Sequence, residues 1–143
     1  MTDCSTCIKI KNESMQNIIE ENENAIGIAS DYFREGHCSV IVKRHIKSVT
    51  ELTTDEYTDI FKIIKRVSKA LEYKYKTDKT YLISIGDQVD HFHIHLIPKH
   101  KDKCSMGVYC FGKLFEAEGE RKPTLEEQIA LRDELRTIIT SQN

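Results

Sequence analysis

The sequence contains little proline and little glycine. Two prolines and six glycines are scattered over 143 residues, so no stretch has the composition of a flexible interdomain linker. Internal repeats and low-complexity segments are also absent. Because 143 residues are enough for one buried core and too few for two ordinary domains, we expect a single domain over residues 1–143.

Long apolar runs are missing as well. No segment approaches the roughly 18 apolar residues that a membrane span requires, and Met1-Thr2-Asp3-Cys4 shows no basic region followed by an apolar run. We therefore expect an intracellular, cytoplasmic protein that makes no membrane contact.

The chain has no large excess of charge of either sign. It carries 21 basic and 23 acidic side chains, a balance that favours neither nucleic acid nor a membrane surface as partner. Any contact with phosphate should therefore be local.

Cysteine is present in an odd number, which does not fit a complete disulfide framework. The five cysteines are better interpreted as thiols or metal ligands. Cys4 and Cys7 form a C-x-x-C pair, a spacing that occurs in metal sites, in redox sites and by chance. Cys38, Cys104 and Cys110 have no ligand spacing, and we interpret them as core or incidental thiols.

The pattern of apolar residues predicts an α+β fold: an antiparallel sheet with one long central helix and a C-terminal helix. The long helix begins at a capping box of Thr53 and Glu56 and runs to about Tyr75. A second capping box, Thr124 with Glu127, opens the C-terminal helix. Strands are predicted at residues 18–20, 25–28, 38–43, 80–85 and 91–97.

The most informative feature is the run His91-Phe92-His93-Ile94-His95. If it is a strand, its three histidines share one face and stand about 7 Å apart. Three imidazoles in this arrangement are hard to explain by packing. They either bind a catalytic metal or act directly as nucleophile and acid.

Direct attack requires a particular tautomer. An imidazole nitrogen attacks phosphorus when the other ring nitrogen is held as N–H by a hydrogen bond, which a backbone carbonyl can accept. Neighbouring donors then stabilise the phosphoryl oxygens and protonate the leaving group. His37 and His95 are candidates for that support.

The run from His91 to Ile97 resembles the signature of the histidine triad family: His, apolar, His, apolar, His and two apolar residues. Further segments resemble the family in order and spacing: Gly36-His37, Lys43-Arg44-His45-Ile46, Leu52-Thr53 and Pro98-Lys99. The resemblance extends from about Cys4 to Lys99. It implies a histidine triad fold in which residues 100–143 form a variable C-terminal extension.

The resemblance implies an enzyme that hydrolyses or transfers at the α-phosphate of a nucleotide phosphoramidate or dinucleoside polyphosphate. His93 matches the nucleophile that becomes nucleotidylated, and His95 and His37 match the residues that contact phosphate. The family also implies a homodimer acting on small-molecule nucleotides. Four further residues are candidates for substrate binding: Gly86 in a phosphate-proximal turn, Gln88 near the leaving group, Ile28 and Asp31.

The chain departs from the family pattern at two positions. Asp87 stands where relatives usually have a glutamine that donates to phosphate. Ala29 stands where many relatives hold the ribose with Asp or Asn, although Asp31 is close enough in sequence to compensate.

The same resemblance implies a structural zinc. Family members and the related galactose-1-phosphate uridylyltransferases often complete a C-x-x-C pair with two histidines, which match His45 and His91 here. The implied ligands are Cys4, Cys7, His45 and His91, a set suited to a closed tetrahedral site.

Two alternative functions remain open at the level of sequence. One is a metal-dependent hydrolase in which His91, His93 and His95 are themselves zinc ligands. The other is a nucleotide-binding regulatory module that keeps the fold but whose catalysis has been weakened at Asp87 and Ala29.

Overall fold

A computed structural model describes residues 4–31, 35–100 and 121–143. Within these ranges a five-stranded sheet has the order β1-β2-β3-β5-β4, with antiparallel neighbours throughout. The strands are β1 (Ile18–Glu21), β2 (Ala25–Ala29), β3 (Cys38–Val42), β4 (Thr80–Ile83) and β5 (His93–Pro98). The described helices are α1 (Ser5–Lys11), α2 (Thr54–Tyr75) and α3 (Leu125–Ser141), with a short 3-10 helix at Val49–Glu51. The predicted α+β class, with a long helix and a C-terminal helix, is confirmed.

The two faces of the sheet have different roles. Side chains alternate along a strand, so Val40 of β3 and Leu96 of β5 belong to the core on the helical face. Ser39 and Ile41 of β3 instead line a cleft on the opposite face. The alternation therefore separates the residues that stabilise the fold from those available to a ligand.

Helix α2 covers the core face and contacts all five strands. It begins as predicted: the Thr53 hydroxyl accepts from the backbone N–H of Glu56, whose carboxylate accepts from the N–H of Thr53. Apolar residues at helical spacing in α2 are buried: Ile60, Ile64, Val67 and Leu71. Tyr57 and Phe61 are exposed, because they lie beside the apolar stripe and pack on each other with ring centroids 4.8 Å apart.

Some predicted strand boundaries need correction, and one helix was missed. Strand β5 begins at His93 rather than His91, because His91 lies in a bend where its N–H donates to the carbonyl of Val89. Strand β4 ends at Ile83 instead of residue 85. Helix α1 was not predicted, and none of its seven residues is buried, so it has no apolar stripe for a pattern to detect.

Among the described residues, no helix is long and apolar enough to cross a membrane.

Helix α2 packs tightly against the sheet at Gly27 of β2. A Cβ atom at this position would stand 2.7 Å from Cγ2 of Ile63 and 3.7 Å from Cγ2 of Val67. Ile63 is buried and β-branched, so it has little freedom to move away. The absence of a side chain at Gly27 therefore sets the distance between helix and sheet.

We predict that Gly27→Ala lowers the free energy of unfolding by about 1–3 kcal/mol, the usual cost of overpacking a tight core. Urea denaturation measures the change. Ile63→Ala alone should also destabilise, by about 2–5 kcal/mol, but it removes the clashing methyl group. The double variant should therefore cost less than the sum of the single variants, and strict additivity would contradict the proposed contact.

Candidate active site and metal cluster

A cleft of about 400 Å³ opens on the face of the sheet away from α2. His93 and His95 line it from β5, and Ile28 and Ser39 line it from β2 and β3. His93 pairs with Ile41 across the sheet and His95 pairs with Ser39. The central strands thus present two imidazoles to the cleft from rigid backbone.

A chain of hydrogen bonds determines which nitrogen of each ring carries its proton. Nδ1 of His93 lies 2.8 Å from the carbonyl oxygen of His91. Since a carbonyl can only accept, His93 donates from Nδ1, and its Nε2 keeps a lone pair when the ring is neutral.

The hydrogen-bond chain continues through the next two rings. Nε2 of His95 lies 3.1 Å from Nε2 of His93, so His95 donates to that lone pair and its own Nδ1 becomes an acceptor. His37 then donates from Nε2 to Nδ1 of His95, at 2.9 Å. The unprotonated Nε2 of His93 therefore lies in the cleft beside an N–H donor on His95.

Burial keeps the two supporting histidines neutral. Desolvation, with smaller contributions from the neighbouring His95 and His93 rings, lowers the pKa of His37 to about 3. Desolvation and the His93 ring lower the pKa of His95 to about 4. Neutral rings are the state that the hydrogen-bond chain requires.

The position of His37 depends on the glycine before it. Gly36 has φ +82°, a conformation that favours glycine, and a Cβ there would stand 2.4 Å from the ring of Tyr75. The backbone at Gly36 passes close to this ring. At the next residue, the carbonyl of His37 accepts from the N–H of Ser30 at 2.9 Å. His37 is fully buried and points to His95.

The structure also brings together the four residues expected to bind metal. The Sγ atoms of Cys4 and Cys7 each lie 3.4 Å from Nδ1 of His91. Nδ1 of His45 lies 3.4 Å from Sγ of Cys7 and 3.4 Å from Nδ1 of His91. All four ligand atoms lie within 4.8 Å of one another, and they form a possible metal site.

These distances fit a tetrahedral ion. Bonds of about 2.3 Å to sulfur and about 2.0–2.1 Å to nitrogen imply S–N separations of about 3.5–3.6 Å and N–N separations of about 3.3–3.4 Å. His91 is also oriented for the role, because its Nε2–H donates to the carbonyl of Val42 at 2.7 Å. Its Nδ1 is then free to bind a metal, as is usual for a histidine ligand.

Backbone contacts join the two segments that carry the histidine ligands. The N–H of Phe92 donates to the carbonyl of Ile46 at 2.7 Å, which places His91 next to His45. Arg44 is held by a bidentate pair with Glu56, at 2.7 and 2.9 Å. The capping box of α2 therefore also fixes the segment that carries His45.

The four predicted substrate-binding residues all line the cleft: Gly86, Gln88, Ile28 and Asp31. Asp87 lines it too, whereas Ala29 is fully buried in the core. A longer side chain at position 29 would have to displace core neighbours to reach the cleft.

Several residues that line the cleft were missed by the sequence analysis: Thr6, Lys9, Met15, Asn17, Ser30, Ser39 and Gln128. The amide of Asn17 is fixed, because Nδ2 donates to the carbonyl of Ala29 at 2.6 Å and to Oε1 of Gln128 at 3.0 Å. Its Oδ1 is not buried and has no hydrogen-bond partner in the described part of the chain. Asn17 thus offers an acceptor to a hydroxyl or amino group of a ligand.

The buried histidines predict a pH dependence of folding. Because the folded state lowers the pKa of His37 from 6.5 to about 3, the unfolded chain binds more protons between these values. Stability is fully present above about pH 6.5 and declines as the pH falls, with a slope of at most about 1.4 kcal/mol per pH unit for this group. The free energy of unfolding can be measured in urea at pH 7.5, 6.0 and 5.0 on protein treated with a chelator to remove metal. It should fall less steeply with decreasing pH for His37→Gln than for wild type. Equal slopes would mean that His37 is not held neutral.

Comparisons with known proteins relate the chain to a family. A family model described as HIT domain matches residues 9–102. Bis(5'-adenosyl)-triphosphatase of Dictyostelium discoideum is 33% identical over 109 residues, which cover 72% of this chain and 71% of that protein. Adenosine 5'-monophosphoramidase of Schizosaccharomyces pombe is 35% identical over 75 residues, which cover 52% of this chain and 56% of the relative.

Solved structures share the fold. A zinc-bound histidine triad family protein from Mycobacterium smegmatis superposes with a TM-score of 0.72 at 21% identity, and the match covers 98% of this chain and 95% of that chain. The match of a family model to most of the chain and the similarity to the Dictyostelium protein lead to one conclusion: the chain belongs to the histidine triad (HIT) family.

Proposed function

We propose that this protein is a nucleotide hydrolase or transferase that acts at an α-phosphate through a nucleotidyl intermediate on His93. The observation that carries the proposal is the hydrogen bond from Nδ1 of His93 to the carbonyl of His91. It leaves Nε2 as a nucleophile in the cleft. Family membership and the names of both relatives, each a hydrolase of an adenosine phosphate compound, support the same chemistry.

In the first step, Nε2 of His93 attacks the α-phosphorus and forms an N–P bond while the bond to the leaving group breaks. The leaving group takes up a proton from solvent as it departs, and the water that attacks in the second step returns one to solvent. The Nε2–H of His95 points toward the attacking nitrogen, so it is placed to donate to the phosphoryl group that binds to that nitrogen. His37 holds His95 in the required tautomer.

In the second step, water or another acceptor attacks the phosphorus and His93 leaves. Hydrolysis then releases a nucleoside monophosphate and restores the neutral ring. Gly86 and Gln88 would contact the phosphate and the leaving group, while Ile28 and Asp31 would contact the nucleoside. All four line the cleft.

We expect His93→Ala to lower kcat by at least about 10³-fold for an adenosine phosphoramidate and for a dinucleoside polyphosphate, since no other group replaces a lost nucleophile. Quenched wild-type reactions should contain a protein species heavier by one nucleotidyl group, detected by mass spectrometry. That species should be absent from His93→Ala.

His100→Ala is the matched control, because His100 lies outside the cleft and contacts the carbonyl of Glu35. It should turn over like wild type. If His93→Ala is as active as wild type, His93 is not the nucleophile.

We further propose that Cys4, Cys7, His45 and His91 hold a structural zinc. Two thiolates and two imidazoles at tetrahedral spacing are a ligand set that zinc prefers, and the Mycobacterium smegmatis relative was solved with zinc bound. The four ligands would leave no open coordination position. The ion would stabilise the backbone around His91, whose carbonyl orients His93.

Chelation should therefore lower thermal stability before it affects chemistry. We predict one zinc per chain by metal analysis, loss of zinc in Cys7→Ser, and a Tm reduced by at least several degrees for that variant. Cys104→Ser, which changes a cysteine outside the proposed ligand set, should retain the metal. A full zinc complement in Cys7→Ser would rule out this ligand set.

The alternative of a catalytic zinc bound by His91, His93 and His95 is less well supported. His91 turns Nδ1 toward the cysteines, whereas His93 and His95 contact each other through Nε2. Under that alternative, chelation would stop turnover while the fold remained stable. A regulatory binding module would instead bind nucleotide tightly without turnover.

We also propose a single domain over residues 1–143 with residues 100–143 as a variable extension, consistent with a family match that ends at residue 102. We propose as well that the protein acts in the cytoplasm as a homodimer and that neither nucleic acid nor a membrane is its partner. Strand β4 is at the edge of the described sheet and exposes Leu82, which suits pairing with a second copy.

A further inference from the structure

Helix α1 is held in place chiefly by the cluster of Cys4, Cys7, His45 and His91, the thiol–histidine cluster. None of its seven residues is buried, and Ile8 is 50% exposed, so apolar packing contributes little. Cys4 precedes the helix and Cys7 lies within it, and both sulfur atoms contact the histidine ligands. The thiol–histidine cluster therefore ties this short helix to the sheet.

The same helix contributes to the wall of the cleft. Thr6 and Lys9, three residues apart and so neighbours on one helical face, both line it. Cys4 and Cys7 have the same spacing and turn to the cluster. One side of α1 thus faces the metal ligands while an adjacent side faces the ligand-binding space.

Lys9 occupies a particular electrostatic position. Among the described residues that line the cleft it is the only lysine or arginine, alongside the carboxylates of Asp31 and Asp87. Within the described part of the chain its ammonium group has no ion-pair partner. A nucleotide with several phosphate charges would meet two carboxylates there, and Lys9 is the cation available to offset them.

We propose that Lys9 binds the phosphate groups of the nucleotide and that the metal-anchored helix α1 places it there. Metal occupancy and phosphate affinity are then coupled, although the metal does not contact the substrate. The proposal rests on the proposed nucleotide function, but it concerns binding and does not require the nucleotidyl-histidine step. Lys9 acts as a specificity-determining residue for charged substrates.

The first test compares Lys9→Gln with Lys11→Gln in the zinc-loaded full chain. Lys11 lies on the same exposed helix but does not line the cleft. Lys9→Gln and Lys11→Gln each remove one positive charge, so a difference in affinity between them is due to the position of Lys9. Calorimetric titration with ADP should show affinity about tenfold weaker for Lys9→Gln, typical of a lost hydrogen bond to a charged group. Lys11→Gln should bind within twofold of wild type. Adenosine, which has no phosphate, should bind all three proteins equally.

The second test measures the coupling. Chelation should weaken ADP binding to wild type about as much as Lys9→Gln does, and it should weaken binding to Lys9→Gln much less. Amide hydrogen exchange in residues 5–11 should accelerate on chelation, at a temperature where circular dichroism shows that the sheet remains folded.

Equal ADP affinities for Lys9→Gln and Lys11→Gln would overturn the role of Lys9. An equal effect of chelation on wild type and Lys9→Gln would overturn the coupling. Both tests measure binding and neither measures turnover. If His93 is not the nucleophile, they still decide whether Lys9 binds phosphate.

Discussion

The hydrogen bond from Nε2 of His91 to the carbonyl of Val42 is the interaction on which the site depends. It directs Nδ1 of this ring toward the two cysteines and His45. The carbonyl of the same residue then accepts from Nδ1 of His93. One residue thereby connects the candidate metal site to the tautomer of the candidate nucleophile, so a disturbance of the cluster would reach the chemistry through a single backbone carbonyl.

Burial has a second role besides stability. His37 and His95 lie on or beside the central strands, where desolvation opposes their charged forms. A charged His95 would carry a proton on each ring nitrogen and could not accept from His37. The low-dielectric surroundings therefore preserve one direction along the hydrogen-bond chain, and that direction leaves the lone pair on His93. The cost is a fold that is less stable in acid than at neutral pH.

The cleft is built from parts of the chain that differ in burial. The triad face is carried by paired strands beneath α2, whereas Lys9 is carried by α1, a helix without a buried residue. Packed strands carry the triad histidines, and the thiol–histidine cluster holds α1. Under the proposed role of Lys9, substrate affinity would respond to the state of the N-terminal segment.

Local patterns in the sequence determined much of this arrangement. Two capping boxes located the starts of α2 and α3, and strand alternation placed His93 and His95 on one face. The capping boxes and the alternation depend on neighbours within about four residues, which a linear pattern contains. The set Cys4, Cys7, His45 and His91 spans up to 87 positions and was expected only from the family resemblance. Tertiary structure alone turned His91 out of the strand and brought Asn17 to Gln128 across 111 positions. It also placed Lys9 in the cleft, because strand register and the folding of α1 onto the sheet follow from contacts between distant segments that no local periodicity records.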